Sequence, residues 1–252
     1  MKDQRTLSFI NMYGVLGALV QLCELAPEAS ALVKDADVSV GFVVKDGPAA
    51  TLRFKAGRCS LSEGADRCDI RLPFASPEKF NGLIDGAVTP IPSKGFTKIK
   101  FLLGPFTKLT DLLPKYLQAS EEALSDPEFF TVSTTMMFHV IVAAIAQIGN
   151  EDKVGRASAS YMVDGNIEMS IGGGGPKAYL AVKNHRLTAV HETPAESLSY
   201  MEFGDMQLAR KLFDGKVNSV ACVGEGTVRM GGMISQIDNM NRILDRVSMY
   251  LA

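Results

Sequence analysis

The sequence has few of the residues that build metal and redox sites: three histidines and four cysteines in 252 positions, and no tryptophan. The cysteines, Cys23, Cys59, Cys68 and Cys222, form no Cys-x-x-Cys pair, so neither a zinc ribbon nor a redox pair is expected. Scattered cysteines that stay reduced are typical of a cytoplasmic protein. We therefore predict reduced thiols and a cytoplasmic location.

Excess charge of one sign is also lacking. The net charge is −2, and the sequence shows no run of lysine or arginine that would predict a basic patch. Nucleic acid is therefore not an expected partner. Hydrophobic residues make up 46% of the chain and charged residues 21%, which is enough apolar material to form the core of one large domain or two small ones.

The N-terminal segment has the outline of a signal peptide, since Lys2 and Arg5 precede the apolar stretch 7–22. Asp3 and Asn11 argue against this reading, and so does the internal repeat described below, which gives the segment a counterpart. We expect a structural helix here. No other stretch is expected to be apolar enough to span a bilayer.

Catalytic signatures are missing as well. The glycine run 172–175 follows a predicted strand and precedes another, so it predicts a hairpin turn and not a phosphate-binding loop. The stretch HETPA at 191–195 begins like a zinc-protease signature, but Ala195 stands where the second histidine is needed. His139 is expected to be a satisfied interior histidine, and His185 and His191 to lie on the surface. We predict no catalytic residue, no metal and no cofactor.

A repeat is present. Residues 211–215 read KLFDG and residues 82–86 read GLIDG, and the stretch 68–86 aligns with 197–215 without a gap. The alignment pairs two good helix N-caps, Ser76 and Asp205, and each stretch reads as a strand, a cap, a short helix and a glycine stop. A second pairing matches the turn at 46–47 with the turn at 164–165. We interpret these matches as a duplication.

Each copy reads as an opening helix, several strands, a short helix, a further strand and a closing helix, which is typical of an α+β fold. Helices are predicted near 6–23, 106–118, 128–148 and 233–251. Strands are predicted near 38–45, 50–56, 68–74, 96–103, 157–163, 166–171, 177–183, 187–191, 197–203 and 219–230. The acidic stretch 118–127 predicts a linker, so the expected domains are 1–122 and 126–252.

The order of these elements resembles the sterol carrier protein type two family. The residues that carry the resemblance are VSVGFVVKDG, ATLRFKAG and CDIRLPFASPEKFNGLIDG in copy one, and SLSYMEFGDMQLARKLFDG with GTVRMGGMISQIDNMNRILDRV in copy two. The resemblance implies two tandem units, each a mostly antiparallel sheet of about five strands covered by apolar helices. It also implies a hydrophobic tunnel that holds sterols, fatty acids or acyl chains. The chain ends without Ser-Lys-Leu, so a peroxisomal address is not supported.

From this resemblance we expect a non-catalytic binding or carrier protein for a lipid. Pro114 is expected to kink or shorten the closing helix of copy one, which favours copy two as the ligand site. The predicted ligand-binding residues are Met137, Phe138, Ile141, Phe203, Phe213, Met230, Met233, Ile237, Met240 and Leu244. Two alternatives stay open: an accessory or dimerising subunit whose apolar grooves bind a partner protein, and a lipid-modifying enzyme. A transient membrane contact and a homodimer are also left open.

Overall fold

The computed structural model describes residues 2–251 and shows an α+β protein with two mostly antiparallel sheets, one of four strands and one of five. The chain divides into two compact units, unit 1 up to Val132 and unit 2 from Ser133 onward. The outermost residues of the two predicted domains, 1 and 252, lie outside the described residues. Each unit is described by itself below.

Unit 1 begins with helical segments whose buried apolar side chains pack inside the unit. The helices are α1 (Gln4–Ile10), α2 (Leu19–Leu25), α3 (Pro27–Leu32), α4 (Pro77–Ile84), α5 (Ile99–Phe101) and α6 (Thr107–Leu117), with π-helical turns at Asn11–Val15 and Leu102–Phe106. The strands are β1 (Asp37–Val44), β2 (Ala49–Lys55), β3 (Arg58–Glu63) and β4 (Ile70–Phe74). Their order in the sheet is β3-β2-β1-β4, and only β1 and β4 run parallel.

Unit 2 has the same sequence of elements with one more strand. Its helices are α7 (Pro127–Glu151, which begins in unit 1), α8 (Lys153–Ala159), α9 (Met206–Phe213), α10 (Ser219–Gly224) and α11 (Ile234–Leu251). Its strands are β5 (Gly165–Ile171), β6 (Lys177–Lys183), β7 (Arg186–Val190), β8 (Ser199–Phe203) and β9 (Val228–Gly232). They are ordered β7-β6-β5-β8-β9, with β5 and β8 parallel.

The two sheets share strand order, direction and register. β4 corresponds to β8 because each pairs in parallel with the first strand of its own sheet. In unit 1 the place of β9 is marked only by an isolated antiparallel bridge between Arg71 and Lys94. Pro90 and Pro92 precede that bridge, and proline cannot donate a hydrogen bond to a sheet ladder, so a full fifth strand does not form there.

The second hairpin of each sheet turns in the same way. Ala56 and Gly57 have φ angles of 49° and 81°, and Asn184 and His185 have φ angles of 51° and 62°. Positive φ at both central residues is the mark of a type I′ turn, whose twist suits a two-residue hairpin. His185 is therefore a turn residue, exposed as predicted.

The interiors differ in what fills them. In unit 1 six phenylalanine rings form a connected cluster with ring centroids 5.2 to 6.3 Å apart: Phe42, Phe54, Phe74, Phe80, Phe101 and Phe106. Strand register and the bounds of α4 and α9 place Met169, Val182 and Ala209 at the unit 2 positions that correspond to Phe42, Phe54 and Phe80. In the closing helices, Phe106 precedes Tyr116 by ten residues as Met240 precedes Tyr250, and each tyrosine hydroxyl donates to a carboxylate before the first strand, so we match Met240 to Phe106. Unit 2 thus has an interior of flexible or small side chains where unit 1 has rings.

Three predicted strands are wrong. Residues 96–103 are helical, because Leu102, Phe106 and Leu109 continue a helical spacing of buried residues that the short alternating stretch concealed. Residues 157–159 end helix α8, and residues 160–163 form the turn and loop that follow it. Helix α8 begins where the Asp152 side chain accepts hydrogen bonds from the first-turn N–H groups of Val154 and Gly155.

The predicted strand 219–230 splits into α10 and β9. Asn218 caps α10 by accepting a hydrogen bond from the N–H of Ala221. Strand β3 was not predicted, because only Cys59 and Leu61 give it an alternating apolar pattern. The glycine run 172–175 forms the β5–β6 hairpin turn, as predicted.

Two further expectations need correction. The turn that corresponds to 46–47 is the glycine run and not 164–165, since 46–47 joins β1 to β2 as the glycines join β5 to β6. The helix that closes unit 1 is not shortened at Pro114, because α6 continues through it to Leu117. The helical stretch begins at Phe96, so it is also longer than predicted.

Two helical stretches, Gln4–Leu25 and Pro127–Glu151, are long and apolar enough to cross a membrane by length and composition. The expectation that no segment beyond the N-terminal one has this composition is therefore wrong for 127–151. Most of each apolar window, 72% and 67%, is buried inside the protein. Buried core helices can have the same length and composition, so these two properties do not by themselves identify a membrane span.

Candidate ligand-binding site

One face of the unit 2 sheet is buried and mostly apolar. Ile167, Met169 and Ile171 on β5 lie beside Ser199, Met201 and Phe203 on β8, and all six are buried to more than nine-tenths. Met230 and Val228 on β9 are opposite Met201 and Phe203, which places them on the same face. The helices of unit 2 cover this face.

Helix α9 covers the C-terminal end of β8. Asp205 fixes its start by accepting a hydrogen bond from the N–H of Leu208 at 2.8 Å. The Phe213 ring stands edge-on to Phe203 with centroids 5.5 Å apart. On the same helix the buried Arg210 guanidinium donates to Asp214 at 3.0 Å and to the Ser133 hydroxyl at 2.7 Å. Asp214, next to the glycine stop of α9, is thus the partner of a buried arginine.

Helix α11 packs against β8 and β9. A buried hydrogen bond anchors its first turn, from the Ser199 hydroxyl to Gln236 Oε1 at 2.7 Å. The next residues on its apolar face grade from exposed to buried: Met233 just before the helix is 40% exposed, Ile237 is half-buried and Met240 is fully buried. These three side chains recur at steps of four and three, so they form one line along the helix.

The ten predicted ligand-binding residues fall at three depths. Phe138, Ile141, Phe203 and Met240 are buried. The half-buried members are Met137, Phe213, Met230, Ile237 and Leu244. Met233 is exposed. Contacts in the structure bring together Phe203 with Phe213, and α11 with Met230, whose Sδ accepts from Asn241 Nδ2 at 3.5 Å.

Sequence analysis did not single out Ile243, the neighbour of the predicted residue Leu244. Ile243 is fully buried in α11, whereas Leu244 is half-buried. The buried stripe of α11 also includes the polar residues Gln236 and Tyr250, so a search for apolar residues alone does not find the whole stripe. Both side chains can form hydrogen bonds inside a protein, and this property is the sequence signal that could have included them in the stripe.

The last turns of α11 are tied to α8 through a buried carboxylate. Asp152 accepts from the Tyr250 hydroxyl at 2.7 Å and from Arg246 Nη2 at 2.8 Å. Burial alone would raise the pKa of this carboxyl, but the hydrogen bonds from Arg246, the Gly155 N–H and Tyr250 hold the pKa below its usual value. The ionised carboxylate therefore fixes the position of the helix that covers the sheet.

Two histidines meet near the middle of α7. The rings of His139 and His191 lie with centroids 4.4 Å apart. Burial, with the neighbouring His191, lowers the pKa of His139 to about 3, so its ring is neutral. Its buried Nδ1 has no hydrogen-bond partner among residues 2–251, which corrects the expectation of a satisfied interior histidine.

Within the described part of the chain, no group of three or more histidine, cysteine, aspartate or glutamate side chains could hold a metal ion. The four cysteines are free and buried.

Two grooves open on the surface of unit 2. One, of about 460 Å³, lies between α8 and α11 and is lined by Val154, Ala157, Tyr161, Arg242 and Met249, among others. The other, of about 420 Å³, lies between α9 and α10 and includes Leu208, Val217, Ala221, Cys222 and Thr227. Both are open to solvent, and neither is the enclosed tunnel that the family resemblance implies.

No protein-family model matches the chain, and no curated protein matches it. Three solved structures are similar to part of it. The UbiJ-SCP2 ubiquinone synthesis protein is 13% identical with a TM-score of 0.33, and the match covers 43% of this chain and 96% of that protein. A sterol carrier protein 2 is 15% identical with a TM-score of 0.34, and the match covers 44% and 92%. A conserved hypothetical protein from Thermus thermophilus, whose description suggests a sterol carrier protein, is 14% identical with a TM-score of 0.33, and the match covers 44% and 85%.

Proposed function

We propose that this protein binds or carries a hydrophobic ligand, such as a fatty acyl chain or a sterol, without catalysis, and that the ligand lies between the unit 2 sheet and α11. The observation that carries the proposal is the graded apolar line of Met233, Ile237 and Met240. Such a line leads a ligand from solvent toward the core without a polar barrier. Each square ångström of apolar surface that the ligand buries contributes about 25 cal/mol.

The composition of the unit 2 interior supports the same proposal. Methionine has three rotatable bonds and adapts to ligands of different shape. Met169, Met201 and Met240 are all buried in unit 2. A ligand can be accommodated by rearranging such side chains, whereas the interlocked rings of unit 1 leave less freedom. The buried polar side chains Ser199 and Gln236 hydrogen-bond to each other here, so we expect loose selectivity among lipids.

A partner protein is the second candidate, because one exposed patch favours it. Leu198, Met233 and Ile234 are 45%, 40% and 83% exposed, and Met233 N donates to Leu198 O at 3.1 Å. An apolar patch of this kind suits a second copy of the chain or an accessory partner. The two candidates differ in one measurable way: a ligand would dissociate as a small molecule extractable by organic solvent.

Two finer statements belong with this proposal. We propose that the units are tandem copies of one ancestral unit, and the shared strand order and the shared type I′ turns support this. We also propose a cytoplasmic location, which the four free, buried thiols support.

The test is displacement of a fluorescent fatty acid by unlabelled lipids, with Ile237→Glu as the variant and Leu112→Glu as the control. Both positions are half-buried on a closing helix, Ile237 in α11 and Leu112 in α6. We expect Ile237→Glu to weaken binding about tenfold or more, because a carboxylate must lose its hydration when the ligand covers it. Leu112→Glu should bind as the unchanged protein does.

Circular dichroism must show that both variants are folded. A delipidated, folded protein that binds neither acyl chains nor sterols would contradict the proposal. Equal loss of binding in the two folded variants would contradict the assignment to unit 2.

A further inference from the structure

A basic segment of unit 1 was missed in the sequence. Residues 86–110 contain four lysines and no aspartate or glutamate, in a chain whose net charge is −2. Apolar residues separate the four lysines, so no lysine run results and the sequence analysis did not single this stretch out. We call this stretch the basic segment.

Two of the lysines attach the basic segment to the sheet. Lys94 Nζ donates to the Cys68 carbonyl at 2.7 Å, and Lys98 Nζ lies 3.1 Å from the Asp69 carboxylate. The other two, Lys100 and Lys108, are exposed, and neither has an ion pair within residues 2–251. Their charges are therefore available to an external partner.

Large apolar side chains are exposed beside these charges. Ile91, Phe96 and Leu103 are 78%, 63% and 70% exposed. Phe96, Lys100 and Leu103 are spaced by four and three within a helical stretch, so they share one face. Leu102 and Phe106 are buried on the opposite side, which prevents the helix from rotating its exposed face inward.

We infer that the basic segment docks unit 1 onto an anionic lipid bilayer. A helix that presents lysines together with exposed aromatic and aliphatic side chains is suited to the boundary between headgroups and acyl chains. There the rings and aliphatic chains insert, while the lysines reach anionic headgroups. An acidic protein would complement only the lysines and would leave Phe96 and Leu103 without a matching apolar phase. The inference rests on unit 1 and does not depend on the ligand site proposed in unit 2.

The test is sedimentation of the full chain with vesicles, either of phosphatidylcholine alone or of equal parts phosphatidylcholine and phosphatidylserine. We expect binding to the mixed vesicles that decreases as salt rises, because salt screens the lysine charges. The double variant Lys100→Gln, Lys108→Gln should reduce partitioning roughly thirtyfold, which is the loss expected for two surface charges. Leu103→Ser should reduce it several-fold at any salt concentration.

Matched controls distinguish an effect of the basic segment from an effect of the protein's net charge. Lys183→Gln with Lys211→Gln removes two exposed lysines of unit 2 and should leave partitioning unchanged, and so should Lys100→Arg with Lys108→Arg. The inference fails if the full chain does not bind the mixed vesicles, or if the two Lys→Gln pairs weaken binding equally. Unchanged binding in a folded Leu103→Ser variant, or stronger binding to an acidic protein than to the vesicles, would also overturn it.

Discussion

Both units tie the end of their closing helix to the helix before the first strand, but at different depths. In unit 1 the Tyr116 hydroxyl and Lys115 Nζ both lie 2.9 Å from Glu28 Oε1, and the Lys115 and Glu28 side chains are about half exposed. In unit 2 Tyr250 and Arg246 bind Asp152, whose side chain is only 5% exposed. The same chemistry is a surface ion pair in one unit and a buried network in the other.

The difference in burial between the two tethers indicates how each unit holds its closing helix against the sheet. Unit 1 has a cluster of six rings that packs the closing helix onto the sheet, so a surface tether is sufficient. Unit 2 has Met240 and Ile243 at that contact and adds the buried Asp152 network. The first turn of α11 is held as well, by the buried hydrogen bond between Ser199 and Gln236, so both ends of this helix are fixed by polar contacts.

The largest expected effect comes from removing the buried charge. Asp152→Asn leaves the Arg246 guanidinium without its carboxylate but keeps a side-chain oxygen that can cap α8. We expect the free energy of unfolding to fall by about 3–5 kcal/mol, the usual cost of breaking a buried ion pair. Chemical denaturation followed by circular dichroism measures this loss.

The pH dependence provides the control for that prediction. The folded-state pKa of Asp152 is lowered, so its contribution to stability is complete above its unfolded pKa of about 3.9 and is lost as pH falls through the folded pKa. The Asn variant should lack this part of the acid-induced loss. A variant with the same acid profile as the unchanged protein would show that Asp152 does not stabilise unit 2 as an anion.

A smaller effect is expected from making unit 2 resemble unit 1. Met240→Phe places a ring where Phe106 stands in unit 1, but the corresponding site lacks the space made for a ring. We expect a loss of about 1–3 kcal/mol from overpacking, together with weaker binding of the fluorescent fatty acid. The reverse change, Phe106→Met, should leave fatty-acid binding unchanged. Unimpaired ligand binding by folded Met240→Phe would contradict the proposed position of the ligand.

The smallest effect is expected at the exposed tether. Glu28→Gln removes the partner of Lys115 but keeps a hydrogen-bond acceptor for Tyr116. Because the pair is half exposed and screened, the loss should be about 1 kcal/mol or less. Thermal unfolding of Glu28→Gln and of Asp152→Asn, measured under the same conditions, would compare the two losses of stability. Equal destabilisation by the two variants would remove the distinction between the tethers.

Local chemistry made several features predictable from the sequence. Ser76 and Asp205 cap α4 and α9 as expected, with hydrogen bonds to the N–H groups of Lys79 and Leu208. The gapless alignment of 68–86 with 197–215 is confirmed in that β4 and β8, and α4 and α9, begin and end at corresponding residues. A cap or a glycine stop acts over a few residues, so its signal is complete within the sequence.

Depth was less predictable. On the predicted face of α11, Met240 is fully buried but Ile237 and Leu244 are half-buried, and Ile243, which was not predicted, is also at the core. A helical spacing identifies a stripe, but a rotation of one residue needs the position of the sheet beneath it. The basic segment escaped notice for a similar reason, because its free lysines are distinguished from its anchored lysines only by Asp69 and the Cys68 carbonyl.

The sequence by itself determined the α+β class, the hairpin turn at 172–175, the helix caps and the matching order of elements within 68–86 and 197–215, because each depends on neighbours along the chain. The tertiary structure decided that 96–103 is helical, that His139 meets His191, and that Asp152 is buried while Glu28 is not. Those outcomes depend on which surfaces are removed from water and which charges find partners. The partners lie tens of residues away, and only the folded chain brings them together.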